Sequence, residues 1–248
     1  MEKILEVKSA VKKFSGLVAV NHVDIHVCRG EILGLIGPNG AGKTTLFNGI
    51  AGADRYTSGQ VIFEGKDISD LPANSRCKLG IGRTFQITKP FENMTVLQNV
   101  SVGGLFGTEG KTAMFSKASV ERCEAEAEEI LRFLGMEHKK DLPAGKLNVP
   151  ERKRLELCRA LATKPKLLLL DEVIAGLNPS EVGGMMEHIL EINKTGVSIL
   201  MIEHVMKAVM GISNRIAVLC FGKMIAEGTP IEILNNPEVI SAYLGRRK

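Results

Sequence analysis

The stretch GPNGAGKTT, residues 37–45, lies directly after the apolar run EILGLI and before the helix-like TLFNGIAG. It matches G-x-x-x-x-G-K-[ST] with Gly37, Gly42, Lys43 and Thr44 in the fixed positions, and the motif needs a buried strand that feeds a helix. Glycines let the backbone wrap so that its N–H groups face an anion, and the helix start adds positive potential. Gly37, Pro38, Asn39, Gly40, Ala41, Gly42, Lys43, Thr44 and Thr45 are therefore expected to cradle the phosphates of a nucleotide. In that cradle Lys43 reaches the β and γ phosphates and the Thr44 hydroxyl meets Mg²⁺.

Three later runs, KLLLLDE, GVSILMIEH and RIAVLCF, are apolar and separated by helical stretches, the pattern of buried parallel strands with crossover helices. The N-terminal part reads as β-rich: in VDIHV, Val23, Ile25 and Val27 alternate with Asp24 and His26. Roughly residues 86–165 read as helical. Within them SVERCEAEAEEILRFLG puts Val120, Cys123, Ala127, Ile130, Leu131 and Leu134 on one face, with Gly135 suited to a C-cap. The preceding GGLFGTEGKTAMFSKAS, rich in Gly, Ser, Thr and Lys, reads as a mobile insertion over 103–118.

Composition narrows the function classes. A net charge of +4 without a basic stripe gives no support to nucleic-acid binding, and the tail GRRK reads as a solvated end. Five scattered cysteines without a C-x-x-C pair argue against a disulfide framework and against zinc, and fit a reducing compartment. No apolar run approaches the roughly 18 residues of a membrane span, and the first residues lack a signal-type apolar core.

Asp171 ends the run LLLL, where a carboxylate can hold the Mg²⁺ shell as a Walker-B aspartate does. Glu172 follows it. Alone it reads equally well as a helix N-terminal carboxylate; beside a phosphate loop it is placed to polarise an attacking water.

With this loop, LLLLDE, the glutamine of RTFQ and the histidine of MIEH in that order, the chain resembles the nucleotide-binding subunit of an ABC (ATP-binding cassette) transporter over essentially all 248 residues. The resemblance implies an α/β P-loop cassette with a RecA-like, mostly parallel sheet, an antiparallel β subdomain near the N-terminus and a helical subdomain. It implies one domain, 1–248, with 1–85 and 166–248 as the nucleotide-binding core and about 86–165 as the helical part. Its ligands would be ATP and Mg²⁺. Gln86 would match the Q-loop, which meets Mg²⁺ and senses the membrane partner, and His204 the switch histidine at the γ-phosphate. Ala175 to Asn178 would match the D-loop, and Phe14 the aromatic ring against adenine.

RTFQ, FENMTVLQNV, DEVIAGLNPSE and GKMIAEGTPIEILNNPEVISAYLG are similar to one branch, the ATP-binding subunits of branched-chain amino-acid uptake systems, and to the longer of the two subunits such systems use. The partners implied are a second cassette, integral membrane permeases and, indirectly, an extracytoplasmic solute-binding protein, with the chain peripheral on the cytoplasmic side of the plasma (inner) membrane. Related cassettes import urea or short amides. A nucleotide-gated module of low turnover and a soluble assembly ATPase are the competing classes.

Three departures from the family stand out. Val205 follows the switch histidine in place of aspartate, and Val173 follows Glu172 in place of proline. The third is LNVPE, residues 147–151, where the family has L-S-G-G-Q at a helix start that closes over ATP on the opposite subunit. Asn148 suits a helix cap and retains an amide for phosphate, whereas Val149 crowds the backbone and Glu151 brings a carboxylate. A heterodimer is the expected consequence, in which LNVPE covers the weaker of two ATP sites.

Overall fold

The computed structural model describes residues 2–86, 88–107 and 116–244. An antiparallel sheet is built from β1 (Lys3–Phe14), β2 (Leu17–Cys28), β4 (Ser58–Phe63) and β5 (Lys66–Asp67) in the order β2-β1-β4-β5. Val23, Ile25 and Val27 are buried while Asp24 is exposed, as the alternation requires of a sheet with one covered face.

The second sheet contains β3 (Ile32–Ile36), β6 (Ile81–Arg83), β7 (Leu167–Asp171), β8 (Ser198–Ile202), β9 (Arg215–Cys220) and β10 (Lys223–Gly228), ordered β10-β9-β3-β8-β7-β6. Every pairing in it is parallel except β9 with β10. The strands that read as unbroken apolar runs do so because both faces are covered. Leu33 and Leu35 join a core with Phe47 and Ile50 on the side of the antiparallel sheet, whereas Ile32 and Ile36 join a second core with Val96, Leu155 and Leu157. Along β7, Leu167 and Leu169 divide from Leu168 and Leu170 in the same way.

The helices are α1 (Lys43–Ala51), α2 (Ala73–Leu79), α3 (Val96–Phe106), α4 (Lys117–Phe133), α5 (Val149–Ala162), α6 (Pro179–Lys194), α7 (Met206–Ile212), α8 (Pro230–Leu234) and α9 (Pro237–Leu244). On α4 the residues Cys123, Ala127 and Leu131 are buried, and Gly135 takes a φ of 67° just beyond the helix end. Arg76 of α2 is buried, and its guanidinium donates to the carbonyls of Gly49 and Ile50 at the end of α1 and to those of Ser69 and Leu71. It thereby satisfies the acceptors that a helix end leaves open.

Two expectations are corrected. Helix does not begin at 86: the described residues up to Thr95 form turns and extended chain, and α3 starts at a capping box between Thr95 and Gln98. The glycines at 103 and 104 belong to α3 rather than to a loose insertion, because a β-carbon on Gly103 would come within 2.5 Å of the Arg159 carbonyl on α5. Small residues there let two helices approach closely. Residues 108–115 of the expected insertion, and the GRRK tail, lie outside the described residues.

Candidate active site

The phosphate loop leaves β3 and enters α1 through Gly42, whose φ is 100°. A β-carbon at Gly37 would sit 1.9 Å from the Leu219 carbonyl, and one at Gly42 would sit 2.2 Å from that of Ala19, so strands β9 and β2 clamp the loop from both sides. Lys43 is buried, with its ammonium donating to the carbonyls of Gly37 (2.7 Å) and Pro38 (3.0 Å). Burial lowers its pKa, and the nearby Glu172 opposes that shift. A cleft of about 510 Å³ opens over the loop, bordered by residues 39–45, by Phe14, and by Glu172 and His204. Leu17, Val18 and Phe221 complete an apolar rim beside Phe14, which the sequence reading did not include. Phe221 is 89% exposed at the β9–β10 turn, and an aromatic residue before a turn glycine was the available signal.

Asp171, 2% exposed, ends β7. Its Oδ2 accepts from the Arg83 guanidinium at 3.1 Å, while Oδ1 is buried without a hydrogen-bond partner among the described residues. Burial raises its pKa and Arg83 pulls it back. Thr44, Gln86 and Asp171 border a second cleft of about 460 Å³. The orphaned oxygen and the Thr44 hydroxyl are hard oxygen donors on one cavity, a donor set that fits Mg²⁺ with its retained waters.

Glu172 takes a left-handed φ of 51° and donates its N–H to Ile202 of β8. The turn aims its carboxylate back across the strand ends. Its Oε2 accepts from Gln86 Nε2 at 2.8 Å, and its Oε1 lies 2.9 Å from His204 Nε2. Two residues from separate segments thus converge on the Glu172 carboxylate, because β7 lies between β6, which precedes Gln86, and β8, which precedes His204.

Asn148, Val149 and Glu151 stand elsewhere. They open α5, with Val149 60% exposed, and none borders the phosphate cleft of its own chain. Asn148 Oδ1 accepts from Glu151 N–H and Glu151 Oε2 accepts from Asn148 N–H, each at 3.0 Å, while Lys139 binds the other Glu151 oxygen. Burial raises the Glu151 pKa, but the Lys139 and Asn148 bonds outweigh it and hold the carboxyl below its ordinary value. The carboxylate expected to face phosphate is tied back into a capping box.

Sequence reasoning missed three further residues. Arg83 sits between Asp171 and the rings of Phe47 and Phe85, which lie 5.4 and 5.3 Å away. Lys153 on α5 donates to the carbonyls of Glu172 (2.8 Å) and Ala175 (2.5 Å). Glu203 is 1% exposed, and burial pushes its carboxyl up to about 7. Its Oε1 accepts from Ile174 N–H at 2.7 Å, and among the described residues its Oε2 is buried without a hydrogen-bond partner.

A family model described as ABC transporter matches residues 20–175. The chain belongs to the ABC transporter family. Residues 223–248 of this cassette, which form β10, α8, α9 and the end of the chain, match a model described as branched-chain amino acid ATP-binding cassette transporter. Over 252 residues the cassette is 41% identical to the high-affinity branched-chain amino acid transport ATP-binding protein LivG of Escherichia coli strain K12, covering 98% of each chain. It is 42% identical over 250 residues to a probable branched-chain amino acid transport ATP-binding protein of Archaeoglobus fulgidus, covering 98% of this chain and 96% of the relative. The ADP conformation of MJ1267, an ATP-binding cassette of an ABC transporter, superposes with a TM-score of 0.89 at 35% identity over 99% of this chain and all of the other. Among the described residues no helix of this ABC ATPase is long and apolar enough to cross a membrane.

Proposed function

We propose that this cassette hydrolyses ATP to drive import of branched-chain or related hydrophobic amino acids. The observation that carries hydrolysis is the Glu172 carboxylate held between Gln86 and His204 at the edge of the phosphate cleft. The solute class rests on the 41% identity to the Escherichia coli protein and on the C-terminal match.

In this reading adenine lies against Phe14, and the amides of residues 39–45 and Lys43 hold the phosphates. Lys43 leaves its loop carbonyls as the γ-phosphate arrives. Glu172 accepts the proton of the attacking water, Gln86 and His204 fix the direction of its two oxygens, and His204 turns a ring N–H to the γ-phosphoryl group. When bound, Mg²⁺ neutralises charge on the phosphate oxygens, held by Thr44, Gln86 and Asp171.

Permease subunits dock from the membrane onto the apolar groove of about 320 Å³ between α2, α3 and α5, which Phe85 lines beside Gln86. The chain sits peripherally on the cytoplasmic face, and a solute-binding protein delivers cargo on the other. A second cassette with an intact signature supplies the phosphate donors that LNVPE lacks, giving a heterodimer with one fast and one slow site. Loss of one good phosphate donor costs on the order of 3 kcal/mol, or roughly a hundredfold in rate.

The test is uptake of labelled leucine by cells lacking this chain, complemented with wild type or Glu172→Gln. Wild type restores uptake, and the variant binds ATP without turnover. Uptake supported equally by both refutes the general-base assignment. ATPase assays of this chain alone, its partner alone and the mixture test the heterodimer; full activity of the isolated chain, unchanged by Asn148→Ala, refutes it.

A further inference from the structure

The link between α5 and the hydrolysis motif carries an inference beyond the family motifs. Lys153 lies about a turn and a half beyond Asn148, on the helix whose start closes over the partner's nucleotide in the reading above. Its half-buried ammonium spends two hydrogen bonds on backbone carbonyls, those of Glu172 and Ala175, and among the described residues none on a carboxylate.

The two carbonyls bracket the segment Glu172–Ala175, between the base and the start of the D-loop match. Glu172 at its head has a left-handed backbone, which a residue with a β-carbon holds only when its surroundings fix it. On one side Ile202 accepts the Glu172 N–H; in the middle the buried Glu203 carboxylate accepts Ile174 N–H; on the far side Lys153 takes the two carbonyls. Without Lys153 the Glu172 carbonyl loses its only bonded donor among the described residues, and the peptide that aims the carboxylate is free to turn.

We infer that Lys153 is a positioning residue which ties the signature helix to the backbone of Glu172 and of the D-loop within one subunit. Movement of α5 as LNVPE meets the partner's nucleotide is thereby passed to the carboxylate poised over this subunit's own ATP. The two ATP sites of a dimer are coupled through a single side chain on a rigid helix. The inference rests on Glu172 acting as the general base.

The experiment uses the transporter complex purified through the full chain, with phosphate release for turnover and a fluorescent ATP analogue for binding. Lys153→Met removes both donors while keeping the length of the stem. It is expected to lower kcat at least about tenfold, since misplacing a reacting group by an ångström can cost a hundredfold. KM and analogue affinity stay within about twofold of wild type, because the phosphate loop is untouched. Lys153→Arg, which retains donors, restores most of kcat. An unchanged kcat, a fall matched by an equal loss of affinity, or a fall that Lys153→Arg does not relieve overturns the inference. Glu172→Gln, assayed in parallel, keeps the two claims apart. Wild-type turnover in Glu172→Gln defeats the base assignment, whereas a dead Glu172→Gln beside a fully active Lys153→Met defeats the tether alone. Lys153→Leu, which likewise carries no donor, replaces the Met variant in the same comparison where that protein does not fold.

Discussion

Replacing Glu203 by glutamine tests whether a buried carboxyl beneath the active site is kept protonated by the fold. Burial is the main cause of its elevation to about 7 from 4.5; the Ile174 N–H and Lys153 oppose it, and Glu172 adds to it. A carboxyl whose folded pKa exceeds its unfolded one contributes stability that is complete below the unfolded value and is lost as pH rises through the folded value. The window here runs from about pH 4.5 to about pH 7. At pH 5 the loss is below about 1 kcal/mol and by pH 8 it reaches about 3 kcal/mol. Glutamine keeps the oxygen that accepts from Ile174 and cannot ionise, so its own stability offset is independent of pH. Every other titrating group is common to both proteins and cancels in the difference. Urea or thermal unfolding of wild type and Glu203→Gln between pH 5 and pH 8 should therefore show the variant gaining about 2 kcal/mol relative to wild type across the range. For a chain of this size that is about 4–8 °C in the Tm difference. Parallel pH profiles would refute the reasoning, since Glu203 would then ionise as easily folded as unfolded.

Lys43→Ala should weaken ATP binding by roughly ten- to a hundredfold, the value of one charge-assisted hydrogen bond of about 1.5–3 kcal/mol. Equal affinities in a titration of the two proteins would remove residues 37–45 from the nucleotide site. Arg76→Met should destabilise the chain by about 3 kcal/mol or more, because two buried carbonyls at the end of α1 and two partly buried ones in the turn before α2 lose their donor. The urea midpoint measures this, and a shift worth less than about 1 kcal/mol would show that water replaces the guanidinium.

The phosphate loop, the buried strands and the helix cap at Asn148 were legible in the sequence because each is a local matter. Glycine spacing fixes a turn, an apolar run fixes a strand covered on both faces, and Asn148 three residues before Glu151 permits a capping box. The order of motifs along the chain was legible as well, and with it the family. Strand order was a different kind of fact. Only β7 lying between β6 and β8 puts Gln86 and His204 on the two oxygens of Glu172, and residues 86, 172 and 204 share no local pattern that requires it. Arg83 on Asp171 and Lys153 on Glu172 and Ala175 arise in the same way, from side chains that reach across packed elements. The charge of Glu151 could be read from its letter, but its direction depended on Lys139 standing beside the cap. Glu203 and Glu172 are the same residue type a few ångströms of chain from equivalent strand ends. Burial makes one a carboxyl raised to about 7, and a left-handed turn at the end of its strand aims the other at Gln86 and His204, because dielectric and backbone direction belong to the packed fold and not to the residue.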